Sequence, residues 1–384
     1  MKEVLKTLNP YLVKINAQLR FKTSIIILFS IFFGVPIYSE LLPCCDTTPS
    51  RFESIPIEPP TGMIWIPGGT FVMGGQIEDC MKDWPSIARS RDDERPLHTV
   101  QLDGFWISET PVTNAEFKLF VDATGYKTTA EKVPLIEEIM ASLPPGTPPP
   151  PKELLVPASL VFTQPNEAIS LKDPFAWWRW QKDANWRQPE GPNSSIENRL
   201  NHPVVHVSYF DALAYAQWKN MSLPTEAQWE YAARSGKHQE TFIWGNEQLI
   251  ENASLINIWE GQFPHENTES DGYSGTSPVK NFKPNDFGLY DMAGNVWEWV
   301  ADWYHPDAYK IQAEKASNLN PQGPSYSYDP NEPYAQKRVL RGGSFLCNDA
   351  YCSGYRPAAR MKNPPETSTN HTGFRLVKNK PNNK

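Results

Sequence analysis

Two cysteines on one short stretch, Cys347-Asn348-Asp349-Ala350-Tyr351-Cys352, are the residues of this 384-residue chain best suited to redox chemistry. Two thiolates so close together make a soft site of low coordination number, and soft thiolates select monovalent copper among the available metals. With only two protein ligands, such a site leaves room for a third sulfur brought by a substrate. The same spacing also suits a disulfide, the ordinary state of cysteines in exported chains, and spacing alone leaves both readings open. Hard-oxygen chemistry is offered elsewhere. Asn257 and Asp271, and further on Asp291 and Glu298, sit in loop-like segments rich in Gly and Asn. Short loops of this kind supply carboxylates and backbone carbonyls to a hard cation such as calcium, although Asn and Asp in such places also simply make turns.

Other chemistries are absent. There is no Gly-rich phosphate loop and no Gly-x-Ser-x-Gly elbow, and the 7 histidines are scattered along the chain, which argues against nucleotide and zinc chemistry. The net charge of −8, with no basic stripe to offset it, argues against a nucleic-acid partner. Five cysteines are too few for a disulfide scaffold and odd in number, so at least one is free, lipidated or bound to something.

The elements that must position these residues come from a turn-rich chain. It has 37 Pro and 22 Gly beside 14 Trp, 15 Tyr and 18 Phe, a mixture that implies a compact fold with modest regular structure. Basic residues Lys2, Lys6, Lys14, Arg20 and Lys22 precede an apolar run from Ile25 to Tyr38 that is short for a membrane span of about 20 residues. Residues 1–45 therefore read as an export signal or a membrane or lipid anchor, Cys44 and Cys45 being the candidate lipid sites. Residues 46–61 read as a linker, and 62–380 as the working domain, facing the periplasm, the extracellular space or the outer side of a membrane.

Gly62 to Gly74 predicts two short strands joined at Pro67-Gly68-Gly69, and Thr99 to Ile107 predicts a further strand. Thr113 with Glu116, Ser208 with Asp211, and Thr225 with Gln228 each carry helix-start chemistry. Leu143 to Pro151 is proline-dense and predicts an exposed loop; from there to Asp173 no pattern stands out, and beyond about residue 240 no long periodic segment follows. Trp229, Tyr231, Trp297 and Trp299 read as core, because large aromatics dominate core energetics.

Together these segments resemble the formylglycine-generating enzyme (sulfatase-modifying factor) family from about Gly62 to Val377. The strings that carry the resemblance are Ala184-Asn185-Trp186-Arg187-Gln188-Pro189-Glu190-Gly191-Pro192, His202-Pro203-Val204-Val205-His206-Val207-Ser208, Leu223-Pro224-Thr225-Glu226-Ala227-Gln228-Trp229-Glu230-Tyr231, Gly288-Leu289-Tyr290-Asp291-Met292-Ala293-Gly294-Asn295-Val296-Trp297-Glu298-Trp299, and Arg341-Gly342-Gly343-Ser344-Phe345. The resemblance implies a single α+β domain, a variant of the C-type-lectin-like fold with little regular secondary structure. It implies a copper-dependent oxidase that uses dioxygen to convert a sulfatase cysteine, in a Cys-x-Pro-x-Arg-type motif, to Cα-formylglycine. Cys347 and Cys352 would hold copper, and Ser344 would be the active-site serine. Asn257, Ile258, Asp271 and Tyr273 would form one calcium site, with Ile258 and Tyr273 offering carbonyls. Asp291, Gly294, Val296 and Glu298 would form the second.

The chain departs from the animal members at Ala216, Ala232 or Ala233, Pro357 and Leu376, which stand where those members carry structural disulfide cysteines. Cys80 has no counterpart in the pattern. Three alternatives share the fold: a non-catalytic lipoprotein or structural relative, a sulfoxide synthase and a lectin-like module. The cysteine pair weighs against the first, and residues 1–61 lack the histidine-bearing helical domain that the second requires.

Overall fold

The computed structural model describes residues 59–75, 91–246 and 255–380, so the segment read as an export signal or anchor, Cys44, Cys45 and Cys80 lie outside the described residues. Pro67-Gly68 separates β1 (Met63–Ile66) from β2 (Gly69–Met73), and Asp103-Gly104 separates β3 (His98–Leu102) from β4 (Phe105–Ser108). The single strand expected over Thr99–Ile107 is therefore two. Nor do β1 and β2 pair with each other: β1 lies antiparallel to β4, and β2 antiparallel to β3. The two corners nest so closely that a Cβ on Gly68 would stand 2.9 Å from Gly104 N and Leu102 O. A side chain there would prise the two sheets apart.

All three helix starts form. Thr113 and Glu116 close a reciprocal capping box on α1 (Asn114–Thr124). After the short α2 (Ile136–Ala141) comes a hairpin of β5 (Ala158–Phe162) and β6 (Trp178–Lys182), in the region where no sequence pattern stood out. Ser208 and Asp211 cap α3 (Tyr209–Trp218), and Thr225 and Gln228 cap α4 (Glu226–Arg234). The rest is β7 (Trp297–Trp303), α5 (Ala308–Ala313), β8 (Arg338–Arg341), β9 (Met361–Asn363), β10 (Thr372–Gly373) and β11 (Val377–Asn379). A four-stranded sheet in the order β10-β7-β8-β9 and a three-stranded sheet in the order β1-β4-β11 carry the centre of the molecule. No helix among the described residues is long and apolar enough to cross a membrane. The class is α+β, as expected.

Trp229, Tyr231, Trp297 and Trp299 are all buried, as expected of core aromatics. Between the apolar clusters runs a polar interior. Glu226 and Glu230 project from α4 beneath β8, where Arg341 donates to both, at 2.6 Å each. Arg360 donates to both oxygens of Glu226, and Arg234 to Glu230. All five side chains are buried. Sharing each carboxylate between two guanidiniums offsets the cost of taking the charges out of water.

Arg341→Leu should cost about 3–5 kcal/mol, because it leaves Glu226 and Glu230 short of a partner in a dry interior. Urea denaturation checks this against Lys118→Ala, which removes an exposed pair with Asp122 and should cost no more than about 0.5 kcal/mol.

Candidate active site

The cysteine loop is held by backbone contacts that only glycine permits. β8 ends at Arg341, and the chain turns through Gly342 and Gly343, with φ of 94° and 75°. A Cβ on Gly343 would stand 2.6 Å from Tyr355 N, and one on Gly354 would overlap the Trp297 ring and stand 3.0 Å from Cys347 Sγ. The turn and the 354–355 backbone therefore lie directly against each other, with Ser344 and Cys347 close by. Cys347 N donates to Ser344 O, at 2.9 Å. Beyond it Asn348 and Cys352 exchange backbone hydrogen bonds, and Asn348 Oδ1 accepts from Ala350 N, closing the loop on itself. The two sulfurs, both free thiols, stand 2.8 Å apart. Cys347 is buried and Cys352 half-buried.

Their surroundings split the pair. Burial pushes the Cys347 thiol well above its usual range, and its hydrogen bond to Cys352 adds to that. Cys352 is lowered, first because it accepts that hydrogen bond, with help from the Gly354 N–H and the Arg91 and Arg356 guanidiniums, against the opposing effect of burial. The pair thus tends to hold one proton, on Cys347, with thiolate character on Cys352. Ser344 is fully buried, and its Oγ shares a hydrogen bond with His371 Nδ1, at 3.1 Å. Burial and then nearby His206 push His371 down to about 3, so its imidazole stays neutral. His371 was not singled out from the sequence, since a lone histidine carries no spacing signal. An aromatic group was also missed. Tyr351, inside the cysteine loop, stacks on Phe263 at 4.8 Å and meets Trp177 edge-on, and Trp259 meets Phe263 edge-on.

Of the two oxygen clusters, the first presents open ligands. Asn257 Oδ1 and Asp271 Oδ2 are buried and have no hydrogen-bond partner, and buried polar atoms without a partner call for an unseen one. Asp271 is pushed up to about 6, chiefly by burial and also by Glu260 and Glu269, and its Oδ1 accepts from Tyr273 N. The donor set of Asn257, Ile258, Asp271 and Tyr273 fits a hard cation.

The second set is already hydrogen-bonded within the protein. Glu298 is committed: Arg375 donates to both its oxygens at 2.7 and 2.8 Å, and Trp229 Nε1 donates at 2.7 Å. Asp291 accepts from Lys280 N and Asn295 Nδ2. A cation held by Asp291, Gly294, Val296 and Glu298 would share Glu298 with the Arg375 guanidinium. Ala216, Ala232, Ala233 and Leu376, at or beside the positions of the missing cysteines, are packed into the core, and Pro357 O accepts from Arg341.

An α+β domain of short elements, closing a loop around two unbridged thiols that share a proton, defines a protein equipped for thiol chemistry. Residues 48–380 match the sulfatase-modifying factor enzyme 1-like domain. The formylglycine-generating enzyme of Thermomonospora curvata is 44% identical over 322 residues, covering 84% of this chain and 95% of that protein. The one from Streptomyces coelicolor is 42% identical over 317 residues, covering 82% and 88%. Among solved structures, PvdO from Pseudomonas aeruginosa matches with a TM-score of 0.50 at 26% identity, covering 82% of this chain and 93% of that one. The chain belongs to the sulfatase-modifying factor family of formylglycine-generating enzymes, oxidases that act on a protein cysteine.

Because the thiolate character lies on Cys352 and Cys347 is sealed, iodoacetamide at neutral pH should alkylate Cys352 well before Cys347. Peptide mass spectrometry over a time course reads the order. Equal labelling of the two, or labelling of Cys347 first, would contradict the proton assignment.

Proposed function

We propose that this chain converts a cysteine of a sulfatase, in a Cys-x-Pro-x-Arg-type motif, to Cα-formylglycine with dioxygen as oxidant, using monovalent copper held by Cys347 and Cys352. The observation that carries the reading is the unbridged thiol pair, with one sulfur sealed and the other half-open beside an aromatic wall. Two soft thiolate donors suit a soft monovalent ion better than a hard one. When bound, copper would supply a place for the substrate sulfur and for the activation of dioxygen.

The protein's own residues do the rest. Cys347 gives up its proton for two thiolates to bind, and the Arg91 and Arg356 charges favour the anion at Cys352. Ser344 Oγ, held by neutral His371, offers a fixed hydroxyl near the sulfurs without adding charge. Tyr351, Phe263 and Trp177 form an apolar wall that keeps water from the reacting carbon. At the substrate, two electrons and two protons pass from the CH₂–SH unit to dioxygen, which is reduced to the level of hydrogen peroxide. Water then replaces sulfur, which departs as sulfide, and an aldehyde remains. We further propose that calcium occupies the Asn257, Ile258, Asp271 and Tyr273 set, and that the domain works outside the cytoplasm, as its basic and apolar amino terminus suggests.

Cys347→Ser and Cys352→Ser should each abolish oxidation of a substrate-peptide cysteine while leaving the thermal melt nearly unchanged. Wild-type activity should vanish on copper removal and return on its addition. If the pair served only as a disulfide, the variants would instead lose stability, by up to roughly 2–5 kcal/mol, and either variant retaining full turnover would overturn the copper reading.

Chelation followed by added calcium should lower and then restore the melting temperature. A ligand at a hundredfold excess over its Kd stabilises the folded state by about 2.7 kcal/mol. Asp271→Asn should remove most of that response. A melt indifferent to verified calcium removal would refute the site.

A further inference from the structure

A cavity of about 330 Å³ lies between α5, the start of α4, the end of β7 and the segment from Pro321 to Tyr326. Neither cysteine lines it. Its volume falls within the range of small-molecule sites. Its walls are largely apolar, supplied in part by Met73, Ala227, Ala308 and Ile311.

One buried charge opens onto it. Asp302 is only 4% exposed. Its Oδ2 accepts from Glu226 N at 2.7 Å, but no hydrogen bond or ion pair of the described residues reaches its Oδ1. Every neighbouring buried carboxylate has a cation: Glu226 and Glu230 share Arg341, Glu94 holds Arg356, and Asp93 meets Arg91. Asp302 alone of this group has none. The Pro321–Tyr326 segment passes close to this carboxylate, since Gly323 lies at φ 73° and a Cβ there would overlap Oδ1.

The charged and titratable groups around Asp302 are Glu226, Arg338, Arg341, Arg360 and Tyr209 and, in the cavity wall, His98, His305, Tyr309 and Lys315. Lys315 is already tied to Gln312 Oε1, at 3.0 Å. Tyr326, exposed at the mouth, meets the His305 ring at 5.4 Å and offers a π-face. The largely apolar wall directs the reading to an organic ligand.

We propose that this cavity binds a small organic cation, an alkylammonium or alkylguanidinium whose head pairs with Asp302 Oδ1 and whose chain lies on the apolar wall. The site is separate from the cysteine pair and does not depend on the oxidase reading.

Calorimetric titration of the full chain with n-butylguanidinium chloride, against n-butylurea as the uncharged isostere at matched ionic strength, tests it. The guanidinium should bind about tenfold or more tightly than the urea, as expected for a hydrogen bond to a charged group. Burial and the Glu226 charge push Asp302 up to about 7, so binding should strengthen as pH rises from 6 to 8 and the carboxylate loses its proton. Asp302→Asn should abolish both the preference and the pH dependence, which separates Asp302 from His98 and His305. Ser325→Arg, on the exposed lining loop, should block the cavity with its own guanidinium while peptide-cysteine oxidation persists, and it decides the matter should the Asp302 variant fail to fold. A blocked Gly-Arg-Gly tripeptide distinguishes a side chain offered by a polypeptide from a free small cation, and binding of either at this site supports it. Equal affinity for butylguanidinium and butylurea at pH 8, or binding unchanged in both variants, would overturn it.

Discussion

The sharing of Glu226 and Glu230 among Arg234, Arg341 and Arg360 is the interaction on which the rest of this structure depends. Few of the chain's residues sit in long helices or sheets, so backbone ladders alone do not fix how its loops lie on one another. The guanidiniums do this instead, because each reaches a carbonyl as well as a carboxylate. Arg341 reaches Pro357 O, and Arg360 reaches Asp93 O and His305 O. One short helix, α4, thereby gathers β8, the 356–360 segment, the Asp92–Glu94 turn and the end of β7. Desolvating so many charges is costly, and the network is favourable only because nearly every lone pair and proton is matched.

The cysteine loop hangs within this frame. It begins just after Arg341 and ends just before Arg356, which forms a bidentate pair with buried Glu94. Both ends are thus clamped by ions, and the glycines at 342, 343 and 354 let the clamped backbones approach without side chains between them. The unequal environments of the two thiols follow from the same placement. Cys347 faces Trp297 and the core, while Cys352 lies nearer Arg91 and Arg356. The structure that fixes the loop also sets which sulfur keeps the proton.

Local chemistry was legible in the sequence and long-range chemistry was not. Thr113, Ser208 and Thr225 announce helix starts because a capping box is complete within four residues. The core roles of Trp229 and Trp299 follow from size alone. In contrast, Arg341 and Arg360 were visible only as parts of family strings, because their partners lie 111 to 134 residues away. The β5–β6 hairpin escaped notice because Trp178-Arg179-Trp180-Gln181-Lys182 is only partly buried and lacks a clean apolar alternation. Nothing in the segment around Glu298 reveals that Arg375 arrives from the far end of the chain to pair with it. The cysteine pair was read correctly as neighbours, yet its proton balance depends on Arg91 and Gly354 from outside the loop.

The proposed calcium loop and the cysteine loop are physically continuous, and this bears on what a cation there would do. Ile258 precedes Trp259, whose N–H donates to Cys347 O at 2.9 Å. Asn348 Nδ2 returns bonds to Trp259 O and Gly261 O. Asn257 O accepts from Asn295 N, and Asn295 O accepts from Phe345 N, so the same residues also brace the segment leading into the cysteines. Asn257 and Asp271 bring buried oxygens with no partner into that bracing layer, and the Glu260 and Glu269 charges oppose ionisation of Asp271. A cation bound there would offset these charges and stiffen the 257–261 backbone. Through it the cation would steady the carbonyl and amide contacts that hold Cys347. The oxygen cluster is therefore best understood as a support for the geometry of the thiols, acting through main-chain hydrogen bonds and without touching the sulfurs.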